Sequence, residues 1–300
     1  MSKFANQMKT VLLLGALSSI LIGIGAFMGG RGIYLMTGIA VLMNFGSYFF
    51  SHKIVLAMHR AKPVTEAEDP RLFQMVRELA GRARMPMPKI YTIDDPQPNA
   101  FATGRNPENG VVAVTTGIRR LLPDRELRGV IAHELAHIRN RDILVATIAA
   151  MIASVVSMVA HMIQWGAIFG MGRRDDDEDR GGGMIGMIVL ALVAPIAATV
   201  IQLAISRSRE YLADETGGEI SGEPDALADA LQRIERGIAT IPTRLEARPA
   251  TASLFIASPL RGGGVMSLFS THPAMAERAR RLREQARRQG VGVGAGARSR

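Results

Sequence analysis

Four stretches of this chain contain no Asp, Glu, Lys or Arg: residues 10–30, 32–51, 143–172 and 181–206. A helix needs roughly 20 apolar residues to cross about 30 Å of hydrocarbon. A soluble helix seldom runs that far uncharged, because one of its faces must meet water. All four runs are long enough, so the 300-residue chain is expected to hold four membrane helices. The last two runs carry Ser154, Ser157, His161, Gln164 and Gln202. The first run is too long for a signal-peptide core and shows no small-residue cleavage site before the second, so it reads as an anchor. Mean hydropathy is only +0.14, which a soluble chain can also reach; the clustering decides.

The spans pair into two hairpins. Gly29-Gly30-Arg31-Gly32 is expected to turn between the first two, and a solvated charged loop, 172–183, between the last two. Residues 1–9, 51–142 and 207–300 then share one side of the membrane. Near the membrane ends that side carries Lys3, Lys9, Lys53, Arg60, Lys62, Arg125, Arg128, Arg139, Arg141, Arg207 and Arg209, against Arg31, Arg173, Arg174 and Arg180 on the other. This asymmetry orients the first side to the cytoplasm. It also gives the formal charge of +9 a use other than nucleic acid: contact with anionic headgroups. With aromatic residues at 5%, platforms for stacking bases are scarce.

The expected order is a hairpin over 10–51, a first soluble piece over 52–142, a second hairpin over 143–206, a second soluble piece over 207–289 and a disordered tail over 290–300. The apolar spacing of Leu72, Phe73, Val76 and Leu79 predicts a helix over 69–84, with Asp69 as its cap. Residues 89–93 and 110–115 read as short strands flanking a turn-bounded segment, 96–104. Helices are expected over 123–138 and 224–236, and a last Arg-rich one opens at Thr271-His272-Pro273 and runs to Arg288. His52 and His59, just past the second span, are expected in solvent, and His161 at the far interface.

The chain has no Cys, so a metal site must be built from His and carboxylates. His133-Glu134-Leu135-Ala136-His137 falls in the helix over 123–138. Residues four apart share a helix face, so both imidazoles can reach one zinc ion. Glu134 stands where a base can take a proton from an attacking water. The plainer alternative is a pair of structural histidines. A catalytic zinc wants a third protein ligand, and Glu210 is the best candidate. Asp214, four residues on, would accept a hydrogen bond from the second nitrogen of a ligand imidazole. Alone this pair could be an ordinary solvated face. Topology changes that: His137 lies six residues before the third run and Glu210 four after the fourth, so two crossings return the chain beside its starting point.

The stretches PNAFATG (98–104), HELAHIRNRD (133–142), SRSREYLAD (206–214), ASLFIASPL (252–260) and LFSTHPAMAERARRL (268–282), in this order around two hairpins, resemble the HtpX family of membrane-embedded zinc metalloproteases, relatives of the CAAX prenyl proteases. The resemblance covers all but the loop 172–183 and the tail. It implies four transmembrane helices joined to a cytoplasmic α+β, gluzincin-like metalloprotease domain. It also implies an ATP-independent endopeptidase of the cytoplasmic membrane that removes misfolded membrane proteins. The residues it carries over are His133, His137 and Glu210 as zinc ligands and Glu134 as base.

A peptidase also needs a donor for the tetrahedral oxyanion. His272 and Tyr211 are candidates; helix capping and core packing are their respective alternatives. Asn99, Ala100, Phe101 and Ala102 could form an edge strand that pairs with an extended substrate, or else a buried strand of the small sheet. An intramembrane metal site is disfavoured because Arg125, Glu126 and Arg128 precede His133 within three turns. A scaffold with a structural zinc would have no use for Glu134, and a transporter would find no charged residue in the spans.

Overall fold

The computed structural model describes residues 3–27, 29–140, 142, 144–145, 148, 207–241, 256 and 273–290. Nearly all of the third charge-free run, the whole of the fourth, the loop between them, His161, His272 and residues 291–300 lie outside the described residues.

The first two runs form the helices α1 (Lys3–Phe27) and α2 (Gly30–Met58). The turn is tighter than the sequence suggests. Gly29 alone takes a positive φ of 87°, and Gly30, Arg31 and Gly32 already belong to α2. At Gly25 a Cβ would meet Gly32 O at 2.7 Å, so only glycine lets the two helices approach this closely. Asn44 donates across the pair to Ser18 Oγ at 2.7 Å, as polar side chains do between helices in lipid. Among the described residues, one helical segment, Gly30–Phe50, is long and apolar enough to cross a membrane; the apolar stretch of α1, Thr10–Gly23, is shorter. The large exposed apolar side chains of the described residues all fall between Met8 and Ile54. A soluble surface rarely concentrates apolar area in this way. Val145 and Ile148, just past the HExxH helix, pack with Leu13, Leu17, Leu21 and Ala40 of this hairpin.

The soluble part is a four-stranded sheet against helices. Its strands are β1 (Lys62–Pro63), β2 (Lys89–Ile93), β3 (Ala100–Thr103) and β4 (Val111–Thr115), in the order β1-β2-β4-β3. β2 and β4 run parallel, and β3 lies antiparallel to β4 with Phe101 opposite Ala113. The helices are α3 (Pro70–Arg82), α4 (Thr116–Leu121), α5 (Asp124–Asn140), α6 (Arg207–Ser221), α7 (Pro224–Thr240) and α8 (Met275–Arg288). Asp69 caps α3 by accepting from Leu72 N at 3.1 Å, with Pro70 at the first helical position. Thr115 caps α4 in the same way through Ile118 N. The last helix starts at Met275 rather than Thr271; Pro273 precedes it and Ala274 is its N-cap.

One apolar core draws on both soluble pieces, from Leu72 to Ile138 and from Ala213 to Leu282. Pairs of opposite charge add to it. Arg233 of α7 donates both forks to the buried Glu126 of α5 at 2.7 Å each, a bidentate geometry that offsets the desolvation of the carboxylate. A second, smaller core joins α2 to the sheet through Val55, Leu56, Ile93, Phe101, Val111 and Ala113. This corrects the expectation for His59. Because α2 continues past the apolar window and docks on the sheet, His59 is only 4% exposed, with its ring 5.6 Å from that of Phe101. His52 is half-buried.

Candidate metal centre

α5 and α6 meet where the chemistry sits. Gly217 of α6 lies on the backbone of His133: a Cβ there would come within 2.9 Å of His133 Cα and N. This close packing sets Glu210 and Asp214 opposite the two histidines. His133 Nε2 and His137 Nε2 are 3.1 Å apart with their rings nearly perpendicular. Glu210 Oε2 lies 3.7 Å from His133 Nε2, and Glu210 Oε1 lies 3.7 Å from His137 Nε2. All three donors fall within 4.8 Å of one another. Ligands held about 2.0–2.1 Å from a tetrahedral ion stand roughly 3.4 Å apart, so the three side chains fit one cation with little movement.

The surroundings fit a cation too. Glu134, Asp142, Glu210 and Asp214 gather here against Arg209 and Arg278. His137 Nδ1 is 3.1 Å from both oxygens of Asp142. Burial alone would lower the pKa of His137, but Asp142, Glu210 and Glu134 lift it to about 10. The same carboxylates crowd negative charge around the two imidazoles, which favours a divalent ion between them. His133 Nδ1 is 3.0 Å from Asp214 Oδ1. Such outer partners orient ligand imidazoles and raise their basicity.

Glu134 is 2% exposed. Burial raises the pKa of its carboxyl above the ordinary carboxylate range, opposed by the charges of His133 and His137. It accepts a hydrogen bond from the backbone of Ala102 in β3. β3 is the outer strand of the sheet, yet all four of its residues are buried. Part of its outer edge is engaged from within the chain: Ala100 N donates to Asn99 Oδ1 at 3.1 Å, and Ala100 O accepts from Ile256 N at 3.0 Å. An extended substrate using Ala100 O would have to displace Ile256.

Two neighbours of the centre were not singled out by sequence reasoning. Asp142 stood within the HELAHIRNRD stretch without a role. Arg278 of α8 is fully buried, donates to both oxygens of Asp214 at 2.8 and 2.7 Å, and reaches to 3.3 Å from His133 Nε2 and 3.5 Å from Glu210 Oε2. Burial works against the Asp214 carboxylate, but Arg278 and His133 together hold its pKa below the usual range. Tyr211 faces α8 instead of the ligands: the guanidinium of Arg281 covers its ring at 3.8 Å, in a cavity of about 550 Å³ lined also by Arg280 and Arg288.

Two imidazoles one helical turn apart, a carboxylate from a second helix and a buried glutamate bound to a strand edge are the apparatus of a metallopeptidase. Residues 66–286 match Peptidase family M48, and the chain belongs to that family. It is 55% identical over 279 residues to a protein named "Protease HtpX homolog" from Syntrophobacter fumaroxidans, covering 93% of this chain and 99% of that one. A second "Protease HtpX homolog", from Pelotomaculum thermopropionicum, is 51% identical over 282 residues, covering 94% and 99%. The HtpX resemblance seen in the motifs therefore holds along nearly the whole chain. A crystal structure of S. mikatae Ste24p is similar over 93% of this chain and 66% of that one, at 19% identity and a TM-score of 0.49, too remote to add to the family assignment.

Proposed function

We propose that the protein is a membrane-embedded, zinc-dependent endopeptidase that cuts misfolded or damaged membrane proteins on the cytoplasmic side. The observation that carries this reading is the His133, His137 and Glu210 cluster beside the buried Glu134. These three side chains hold the zinc ion. Bound zinc supplies Lewis acidity that polarises the scissile carbonyl and acidifies water. Glu134 takes the proton of the attacking water and later returns one to the leaving amine. Asp142 holds the ring of His137 through Nδ1, and Asp214 stands 3.0 Å from His133 Nδ1 as the nearby carboxylate. The edge of β3, from Asn99 to Ala102, receives the substrate backbone once Ile256 gives way, and His272 is the candidate donor to the oxyanion.

The apolar Gly30–Phe50 helix and the exposed apolar faces of α1 and α2 support the membrane placement. The Lys and Arg asymmetry supports a cytoplasmic catalytic face. The Arg-rich α8 supports contact with anionic lipid. Tags after Asp177 and at the C-terminus are expected to report opposite sides of the membrane; the same side for both would remove the second hairpin.

The reading is tested on the ligand set. Glu210→Ala is expected to leave the fold intact and to lower zinc affinity by well over tenfold, since a ligand counts for more than an outer partner, whose loss costs about 10–100-fold. Metal analysis after dialysis measures it. Unchanged zinc content would remove Glu210 from the site.

A further inference from the structure

Resting on the protease reading above, we propose that the active site stands at a fixed and small height over the bilayer. The protein then cuts extended juxtamembrane segments, a few residues from where a substrate leaves the membrane.

α2 is an unbroken helix from Gly30 to Met58, and its apolar window ends at Phe50. Tyr48, Phe49 and Phe50 are exposed there. The Lys53 ammonium lies 5.4 Å from the Phe50 ring, and the Arg105 guanidinium lies 5.1 Å from the Phe49 ring. His52 is also within reach of the charges of Lys53, Lys89 and Arg105. Aromatic rings beside cations mark the headgroup level of a membrane protein. Arg105 comes directly after Gly104, at the end of β3. The C-terminal end of the β3 edge is therefore at the lipid surface.

The other end of β3 is placed by α2. Phe101 packs with Val55 and Leu56, and its ring is 5.6 Å from His59. From Phe50 to Val55 and His59 the helix rises roughly 8 and 14 Å. From Arg105 back to Phe101 an extended strand covers about 13 Å. The two paths agree: β3 runs antiparallel to α2, and its middle stands about 10 Å beyond Phe50. Ala102, whose backbone holds Glu134, is in that middle. An independent marker agrees. Val145 and Ile148 already lie in the α1–α2 apolar cluster, and Val145 is only eight residues after His137.

Headgroups add roughly 5–8 Å to each side of the hydrocarbon, so little water separates them from Glu134. An extended chain bridges about 10 Å in three residues. A folded domain of about 100 residues has a radius of gyration near 13 Å, and cannot bring a bond beside the membrane to this depth without unfolding.

The test uses the full chain in lipid nanodiscs. Its substrate is a single-span helix carrying an unstructured tail of about 40 residues built from one repeated segment, so that every repeat offers the same bonds. Cut positions are mapped by mass spectrometry. Tethering should favour cuts within about ten residues of the span over the distal repeats by about tenfold or more. A rigid helical spacer of EAAAK repeats between span and tail should lower total cutting by about tenfold. Even cutting along the tail, or undiminished cutting behind the spacer, would overturn the height constraint and leave the protease reading standing. No cutting of the tail, attached or free in solution, would overturn the protease reading and the height constraint with it.

Discussion

Arg278→Met should lower the stability of the soluble domain by about 3–5 kcal/mol, the usual cost of stripping a buried charge of its partner. Asp214 is 3% exposed and receives both of its forks from Arg278. With methionine there, the carboxylate loses both of these charge-assisted bonds and keeps His133 Nδ1 at 3.0 Å. Arg278→Lys should fall between the two, because an ammonium keeps the charge but not the planar fork. The double variant Arg278→Met with Asp214→Leu separates stability from function. Replacing a buried pair by apolar residues is often neutral, so thermal stability should recover. Metal affinity should stay about 10–100-fold weaker, because His133 has lost the carboxylate beside its Nδ1. Thermal melts and metal titration of the three variants measure this. Wild-type stability and metal affinity in Arg278→Met would show that the Arg278–Asp214 pair supports neither the domain nor the centre.

Why Arg278 escaped the sequence is clear from its helix. α8 reads MAERARRLREQARR, which looks like a solvated basic face. Yet its buried residues are Arg278, Ala279, Leu282, Gln285 and Ala286. An arginine standing on the only apolar stripe of a charged helix was the available signal. Its partner could not be read, because Asp214 lies 64 residues away. His59 was missed for a related reason. Nothing local shows that α2 outlasts its apolar window and packs against Ile93, Phe101, Val111 and Ala113, far along the chain.

The legible parts obeyed local rules. Asp69 and Pro70 announce α3 by capping chemistry, and the β2 bounds follow from a short β-branched run between turns. His133 and His137 were legible because helical spacing alone puts them on one face. Glu210 was legible for a different reason: two apolar runs read as a hairpin were expected to return the chain beside the HExxH helix, and α6 does pack against α5. For β3 the sequence left an edge strand and a buried strand open; it is the outer strand with all four residues buried, and neither the Ile256 contact at Ala100 nor the Glu134 contact at Ala102 was legible. Those contacts depend on tertiary packing that no period in the sequence encodes.

The remaining large effect is at Glu134. Its carboxyl is buried, raised in pKa by that burial, and held by Ala102 next to the two imidazoles. Glutamine has almost the same shape and can still meet the strand, but it cannot accept a proton. General acid–base groups contribute about 10²–10⁴-fold to rate. Glu134→Gln should therefore lose cleavage on that scale while its fold and metal content stay as in the wild type. The central claim is tested most directly by measuring zinc content and turnover of an unfolded membrane substrate on the same purified Glu134→Gln sample. Full zinc with turnover reduced at least about a hundredfold is the predicted result; full zinc with undiminished turnover would contradict it.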